Sequence, residues 1–302
     1  MGTGYNVKYF GPARPELDAA IDVRLQTLNA QLSTYRDDSE ISRFNKAPAN
    51  EWFAVSASTA EIVISAQAIS RLSAGAFDIT VGPLVNLWGF GAADYRDSPP
   101  PAAAIEALLS TLGYANVEVQ TAPPMLSKKR PETAIDLSAI AKGYAVDEVG
   151  KLLDAAGLDA WLVEVGGELR TRGSKPGGNW QVAIEKPAPA ERRVQRIVAL
   201  RDAAIATSGD YRNFFEFDGV RYSHSINPRT GWPVKAGIGS VSVIANSAML
   251  ADAWATALLV MGETEALRIA EEQQLAVSLV LYNSDGSVTE RLSAAFQQLL
   301  NE

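Results

Sequence analysis

From Trp161 onward the chain is rich in short apolar segments that cluster together rather than alternating strictly with helices. "WLVEVGGELRTRG", "WQVAIEKP", "RIVALRD", "AIATSGDYRNFFEFDGVRYSHSI", "SVSVIA" and "LAVSLVLYNSDGSV" all read as strands or hairpins. The Asp218-Gly219 pair between two alternating runs is a strong hairpin signal. Strands clustered in this way point to an α+β fold rather than a doubly wound parallel sheet. The expected architecture is mixed, largely antiparallel sheets with packed helices.

The first half of the chain supplies several helices. Thr3–Phe10 reads as a strand, and Pro15 to about Tyr35 as an amphipathic helix with Leu17, Ile21, Leu25, Leu28 and Leu32 on one face. Ser58 to Glu61 has the form of a capping box, opening a helix that ends near Gly75. "FDITVGPLVNLWGFG" (Phe77–Gly91) lacks a helical period and reads as an ordered loop. A short helix ends at Gly113, and a strand lies near Val117. In "AIDLSAIAKGYAVDEVGKLLDAAG", Ile135–Leu137 reads as the end of a strand and Ala141–Ala156 as a helix closed by Gly157. There is no repeat and no clean linker, so residues 1–302 read as one domain or as two lobes.

Composition narrows the chemistry. The net charge is −8 with no basic stripe, which argues against nucleic acid as a partner. No stretch approaches the roughly 20 apolar residues of a membrane span. The basic run "SKKR" (Ser127–Arg130) reads as solvated surface. With no cysteine and a single histidine, His224, disulfides, thiolate nucleophiles and Cys-ligated metals are out. A metal site would be built mainly from oxygen ligands, favouring magnesium, calcium or manganese.

One carboxylate stands out. "SAMLADAWATALLVMG" (Ser247–Gly262) contains a single charge, Asp252, and an ionised carboxylate in such surroundings costs several kcal/mol, roughly, unless it is compensated. An Arg or Lys, backbone amides or a bound metal would serve. Thr256 lies four residues on and shares a helix face with Asp252. That pair could bind a hard cation; the plainer reading is an Asp satisfied by an Arg, with the Thr bonded back to its own helix. Asp136, Ser138, Lys142 and Gly143 surround a helix start, a place where anions bind and where an ordinary cap also fits. "VGGE" (Val165–Glu168) and "TSGDYRN" (Thr207–Asn213) are glycine turns after apolar strands, suited to close ligand approach or to plain bends. His224 closes a hairpin strand beside the Pro/Gly-rich "SINPRTGWPV". Neither phosphate-binding glycine motif of the common nucleotide folds occurs.

Taken together and in order, "MGTGYNV", "LSTYRDDSEISRFN", "GAFDITVGPLVNLWGFG", "DLSAIAKGYAVDEV", "LVEVGGELRTRG", "ATSGDYRNF", "SHSINPRTGWPV" and "ADAWATALLVMG" resemble the FAD:protein FMN transferases, the ApbE-type flavin transferases. The resemblance covers nearly the whole chain. It implies magnesium-dependent transfer of FMN from FAD to a Thr or Ser hydroxyl of a partner protein, with release of AMP. It implies that Asp252 and Thr256 are magnesium ligands, joined by backbone oxygens of Ala139 and Ala255. FAD would lie in a cleft between the N- and C-terminal parts, with Met1, Tyr35, Ala76, Phe77, Asp78, Asp136, Lys142 and Ile226 at flavin-contacting positions. Asp78 and Asp136 would accept from ribose or adenine, Tyr35 and Phe77 would pack aromatic rings, and Lys142 would pair with a phosphate. His224 is the candidate base.

The implied partner is a membrane-bound respiratory flavoprotein subunit with an Asp-Gly-x-Thr/Ser-Gly-Ala-Thr/Ser-like acceptor site. The implied location is periplasmic, from a precursor whose leader or lipid anchor is absent from this chain. One departure stands out: the family's His-x-Ile-Asp-Pro reads "HSINP" here, with Asn227 in the Asp place. Asn can hydrogen-bond but cannot take a proton. That keeps two alternatives open, an FAD pyrophosphatase giving FMN and AMP, and an FAD-binding protein without turnover.

Overall fold

A computed structural model describes residues 2–92, 95–187, 193–210, 213–234 and 237–301. The chain divides into two compact units. The first comprises Met1–Leu28, Ile140–Tyr211 and Gly237–Glu302; the second comprises Asn29–Ala139 and Arg212–Ala236.

The first unit is built on a sheet of seven strands among the described residues. β1 (Tyr5–Tyr9) pairs with β5 (Trp161–Val165), followed by β6 (Glu168–Arg172) and β9 (Ala204–Gly209). The sheet continues through β12 (Ile238–Ala245) and β13 (Ala276–Tyr282) to β14 (Val288–Leu292). Every pairing in it is antiparallel, as the clustered strands predict. A separate hairpin, β7 (Trp180–Glu185) with β8 (Val194–Leu200), completes the strands of this unit.

Alternation along β5 explains how the sheet is sandwiched. Trp161, Val163 and Val165 join Leu17 and Ile21 of helix α1 (Pro15–Leu32) and Val146, Val149 and Leu153 of α6 (Ser138–Ala155). Leu162, pointing the other way, joins Trp180, Ile184, Val198 and Phe296. Successive strand side chains face opposite sides, so the central strands are apolar on both faces and need cover on each. Gly150 permits the first layer to close: a Cβ there would meet the Trp161 ring at 2.6 Å. Helix α7 (Ala248–Met261) packs on β9 and β12, while α8 (Glu263–Glu272) and α9 (Ala294–Leu299) pack on β13.

The second unit carries the shorter elements: α2 (Glu40–Lys46), α3 (Ala57–Leu72), α4 (Gly82–Leu87) and α5 (Ala102–Leu109). A three-stranded sheet has the order β2 (Phe53–Ala54), β4 (Pro124–Lys128), β3 (Val117–Thr121). A hairpin joins β10 (Phe214–Phe217) to β11 (Val220–Ser223). Its turn is Asp218-Gly219, with φ of 48° and 73°, the left-handed pair that a tight hairpin requires. The core of this unit gathers Leu84, Trp88, Ile105, Phe215 and Ile226. Among the described residues no helix is long and apolar enough to cross a membrane.

Four local expectations change. Phe77–Gly91 is not a loop: Asp78 caps a 3-10 turn over Ile79–Val81, and α4 follows. Six helical residues are too few to display a 3.6-residue period. Helix α3 is capped by Ser56, whose Oγ accepts from the Thr59 amide, not by Ser58. Ile135–Leu137 belongs to no strand; Asp136 is held by its amide donating to the Ile79 carbonyl at 2.7 Å. Lys128, expected on a solvated surface, is 1% exposed. Its Nζ donates to the carbonyls of Asn45, Pro131 and Thr133 at 2.6, 3.0 and 3.1 Å.

Candidate functional site

Helix α7 is the scaffold of the first unit's candidate residues. Its apolar sequence buries nearly its whole length, Asp252 included. Two features of α6 set its position. Asp147 accepts from Ser247 Oγ and the Met249 amide through Oδ2, and from the Ala248 amide through Oδ1. Arg170 completes that buried carboxylate, Nη1 to Oδ1 at 2.7 Å. These bonds satisfy amides at the start of α7 that no helical carbonyl can reach. One turn earlier on α6, Gly143 lets the helices touch: a Cβ there would stand 2.1 Å from the Ala248 carbonyl oxygen.

That close approach delivers donors to Asp252. The Gly143 amide donates to Oδ2 at 3.0 Å, and Lys142 Nζ stands 3.4 Å from Oδ1. Lys142 also reaches Glu168, with Nζ 3.2 Å from Oε1. Glu168 opens β6 directly after Gly166 and Gly167, whose φ values of 60° and 106° make the reversal from β5. The side chain is 5% exposed, and Oε2 is buried without a hydrogen-bond partner among the described residues. Thr256, one turn beyond Asp252, shares a hydrogen bond with Ser208 of β9 at 3.0 Å rather than bonding to its own helix.

The electrostatics follow from two buried carboxylates around one ammonium. Burial alone would push Lys142 down, but the charges of Asp252 and Glu168 outweigh it and hold the ammonium well above its ordinary range. Burial, and then the charge of Asp252, push the Glu168 carboxyl upward against Lys142. Two buried acid side chains therefore share a single lysine. Among the described residues no group of three or more acidic or histidine side chains is placed to hold a metal. A cation on Asp252 would need hydroxyl and main-chain carbonyl oxygens to fill its shell.

In the second unit the flavin candidates fall into two groups. Tyr35 is 67% exposed and presents an open ring. Partial burial of its phenol and the charge of Asp136 push its hydroxyl upward, so the two side chains are neighbours. Asp136 accepts from the Ser138 amide at 2.8 Å and from Ser138 Oγ, leaving its main role at the turn before α6. Ala76, Phe77 and Ile226 are buried at 1%, 3% and 5% exposure, so the Phe77 ring faces the interior. Asp78 is also buried: Oδ1 accepts from the Thr80 amide and hydroxyl, and Oδ2 from the Tyr114 amide. Burial pushes its carboxyl upward against those bonds. Met1 lies outside the described residues.

His224 follows β11, with its ring edge-on to Phe90. Its Nδ1 is 3.2 Å from the Asn213 carbonyl. A hydrogen bond there needs the proton on Nδ1, which places the basic lone pair on Nε2. The loop beyond is fastened at several points. Asn227 Oδ1 accepts from the Arg229 amide at 2.9 Å, and Trp88 Nε1 donates to the Gly231 carbonyl at 2.9 Å. Arg229 binds the carbonyls of Ser73 and Ala74 at the end of α3.

Glu168 and Asp147 are the residues that motif reading did not single out. Glu168 sits inside "VGGE", where a glycine turn draws attention to the backbone rather than to the acid. Asp147 has the sequence surroundings of any acidic position on a helix; only its packing against the start of α7 distinguishes it.

The arrangement finds close counterparts. The family model described as the ApbE family matches residues 1–280. The FAD:protein FMN transferase of Vibrio cholerae serotype O1 is 45% identical, over 100% of this chain and 91% of its own. The flavin transferase ApbE structure from Vibrio cholerae superposes with a TM-score of 0.90 at 43% identity, covering 99% of this chain and 96% of that one. The apo flavinyl transferase ApbE of Pseudomonas stutzeri gives 0.90 at 38% identity, over 100% and 95%. On the family match and on these identities over nearly full length, the chain belongs to the ApbE family.

Proposed function

We propose that this transferase moves the FMN half of FAD onto a Thr or Ser hydroxyl of a partner flavoprotein, releases AMP, and depends on magnesium. The observation that carries the reading is the Lys142–Asp252–Glu168 cluster, in which two buried acid side chains share one lysine and Glu168 Oε2 is without a partner among the described residues, with Thr256 one helical turn from Asp252. Carboxylate, hydroxyl and carbonyl oxygens form a donor set that suits a small hard cation. Magnesium held by Asp252, Thr256 and the carbonyls of Ala139 and Ala255 would neutralise charge on the pyrophosphate and the departing AMP.

The chain's own residues do the rest. In the proposed step the acceptor oxygen forms a bond to the phosphorus on the FMN side, and the bond to the AMP oxygen breaks. His224 takes the hydroxyl proton through Nε2, with the Asn213 carbonyl holding the tautomer that allows it. Lys142 offers positive charge to a phosphate, and Tyr35 offers an exposed ring for stacking. Asn227 is compatible with activity because its amide oxygen already makes the turn contact to Arg229 that a carboxylate would make. The acceptor is proposed to be a respiratory flavoprotein subunit, and the reaction to take place in the periplasm.

The test is mass spectrometry of an acceptor peptide after incubation with the protein, FAD and magnesium, with a Thr→Ala peptide as control. A mass gain of FMN less water on the Thr peptide alone, abolished by EDTA, is expected. AMP release without peptide would mark a pyrophosphatase instead, and bound FAD without AMP a carrier. His224→Ala that retains near-normal turnover with FAD bound would remove the histidine from the chemistry.

A further inference from the structure

Asp252 is buried before any cation arrives, and its two oxygens are held in different ways. Oδ2 is tethered by the Gly143 amide at 3.0 Å, a main-chain donor inside a helix. Oδ1 is 3.4 Å from Lys142 Nζ, an ammonium on a flexible four-carbon stem. That ammonium lies nearer to Glu168, at 3.2 Å. Glu168 is itself well fixed, paired with Val165 across the two-glycine turn. A Cβ on Gly166 would stand 3.2 Å from Lys142 Cδ, so the turn is bare where the lysine stem passes. Glu168 Oε2, buried and unpartnered among the described residues, has capacity left for a donor.

We propose that Lys142 is the resident counter-charge of Asp252, and that Glu168 is the positioning residue that draws it away so that Oδ1 can be given over to magnesium. The proposal rests on the magnesium reading of Asp252. Without the cation, one ammonium serves two carboxylates. With it, the same ammonium serves Glu168 alone and stays within the cluster. Both states spare Asp252 the penalty of an unpaired buried charge. Gly143 keeps the carboxylate in place through the exchange, because its donor belongs to the backbone.

The experiment is magnesium binding to the full chain without FAD, by isothermal titration calorimetry, in wild type, Glu168→Gln, Lys142→Met and the double variant. Glu168→Gln leaves the ammonium to Asp252 and should weaken magnesium binding about tenfold. Lys142→Met removes the competitor and should tighten it. In the Lys142→Met background the Glu168→Gln penalty should shrink to about threefold or less. Glu168→Asp, which keeps the charge, should recover part of the loss.

A Glu168→Gln penalty of equal size with and without Lys142 overturns the proposal, since the carboxylate would then act on the cation directly. So does the absence of any penalty. Where Lys142→Met folds poorly, thermal unfolding in EDTA and in magnesium replaces the cycle: a magnesium-induced rise for Glu168→Gln equal to that of wild type also overturns it. A wild type that responds to magnesium no more than Asp252→Asn does would defeat the magnesium reading itself, and this proposal with it.

Discussion

Two lysines of this protein, Lys128 buried and Lys142 partly buried, sit under opposite regimes. Lys128, in the second unit, ends among the carbonyls of Asn45, Pro131 and Thr133. Burial pushes its ammonium down, only partly opposed by the charge of Glu132. Lys142, in the first unit, ends between two carboxylates that hold its ammonium up in spite of burial. Lys128 satisfies backbone oxygens that the chain around β4 would otherwise leave bare. Lys142 neutralises charge on Asp252 and Glu168, the acids to which the proposed reading gives a role beyond the fold. Neutral acceptors mark a lysine that holds structure together. Acid partners mark the lysine at the proposed cation site.

The largest break in that comparison should come from Asp252→Ala. It removes the carboxylate shared by Lys142 and the Gly143 amide, so magnesium-dependent flavin transfer should fall by about a hundredfold or more. Full activity of the purified variant at saturating magnesium would end the metal assignment. Lys128→Met should act on the other side of the divide. It strands the three carbonyls that the ammonium binds and should cost about 2–4 kcal/mol in urea unfolding. Transfer activity measured well below the melting temperature should stay within about twofold.

The same lysine gives a pH signature. Its folded-state pKa lies below the ordinary 10.5. Between those two values the unfolded chain holds a proton that the folded chain has released, so this group makes stability climb with pH until about 10.5. Urea titrations of wild type and Lys128→Met from about pH 8 to pH 10.5 should show a shallower climb in the variant. Parallel curves would mean that Lys128 does not titrate as its surroundings dictate.

The smallest effect should come from Asn227→Asp. The Arg229 amide donates to Oδ1 in either residue, so stability should change by less than about 0.5 kcal/mol. A similar turnover would place Asn227 with Lys128, as a residue used for shape. A large gain in turnover would move it to the charged class and make the native asparagine a brake on the reaction.

Much of this was legible without coordinates, and the reasons are local. The hairpin at Asp218-Gly219 is written in two adjacent residues that tolerate positive φ. The face of α1 is written in the spacing of Leu17, Ile21, Leu28 and Leu32, all of them buried. The family resemblance could be read because eight blocks keep their order along the chain. What failed was short or context-dependent. Helix α4 has too few turns for a period, and Ser56 and Ser58 are equally good caps until the Glu40 carboxylate takes the Ser56 amide and hydroxyl. "SKKR" reads the same whether a lysine faces water or three carbonyls.

By itself, then, the amino-acid sequence determined most of the elements, the antiparallel class and the lone acid in an apolar helix, because propensity, alternation and turn chemistry act over a few neighbouring residues. It also posed the question of what compensates Asp252. Only the tertiary structure decided the answer. Lys142 lies 110 positions away along the chain, and it reaches Asp252 because Gly143 lacks the Cβ that would hold α6 and α7 apart. Glu168 joins them only through the pairing of β5 with β6. Which charges meet in the interior depends on how helices and strands pack, and no local pattern encodes that distance.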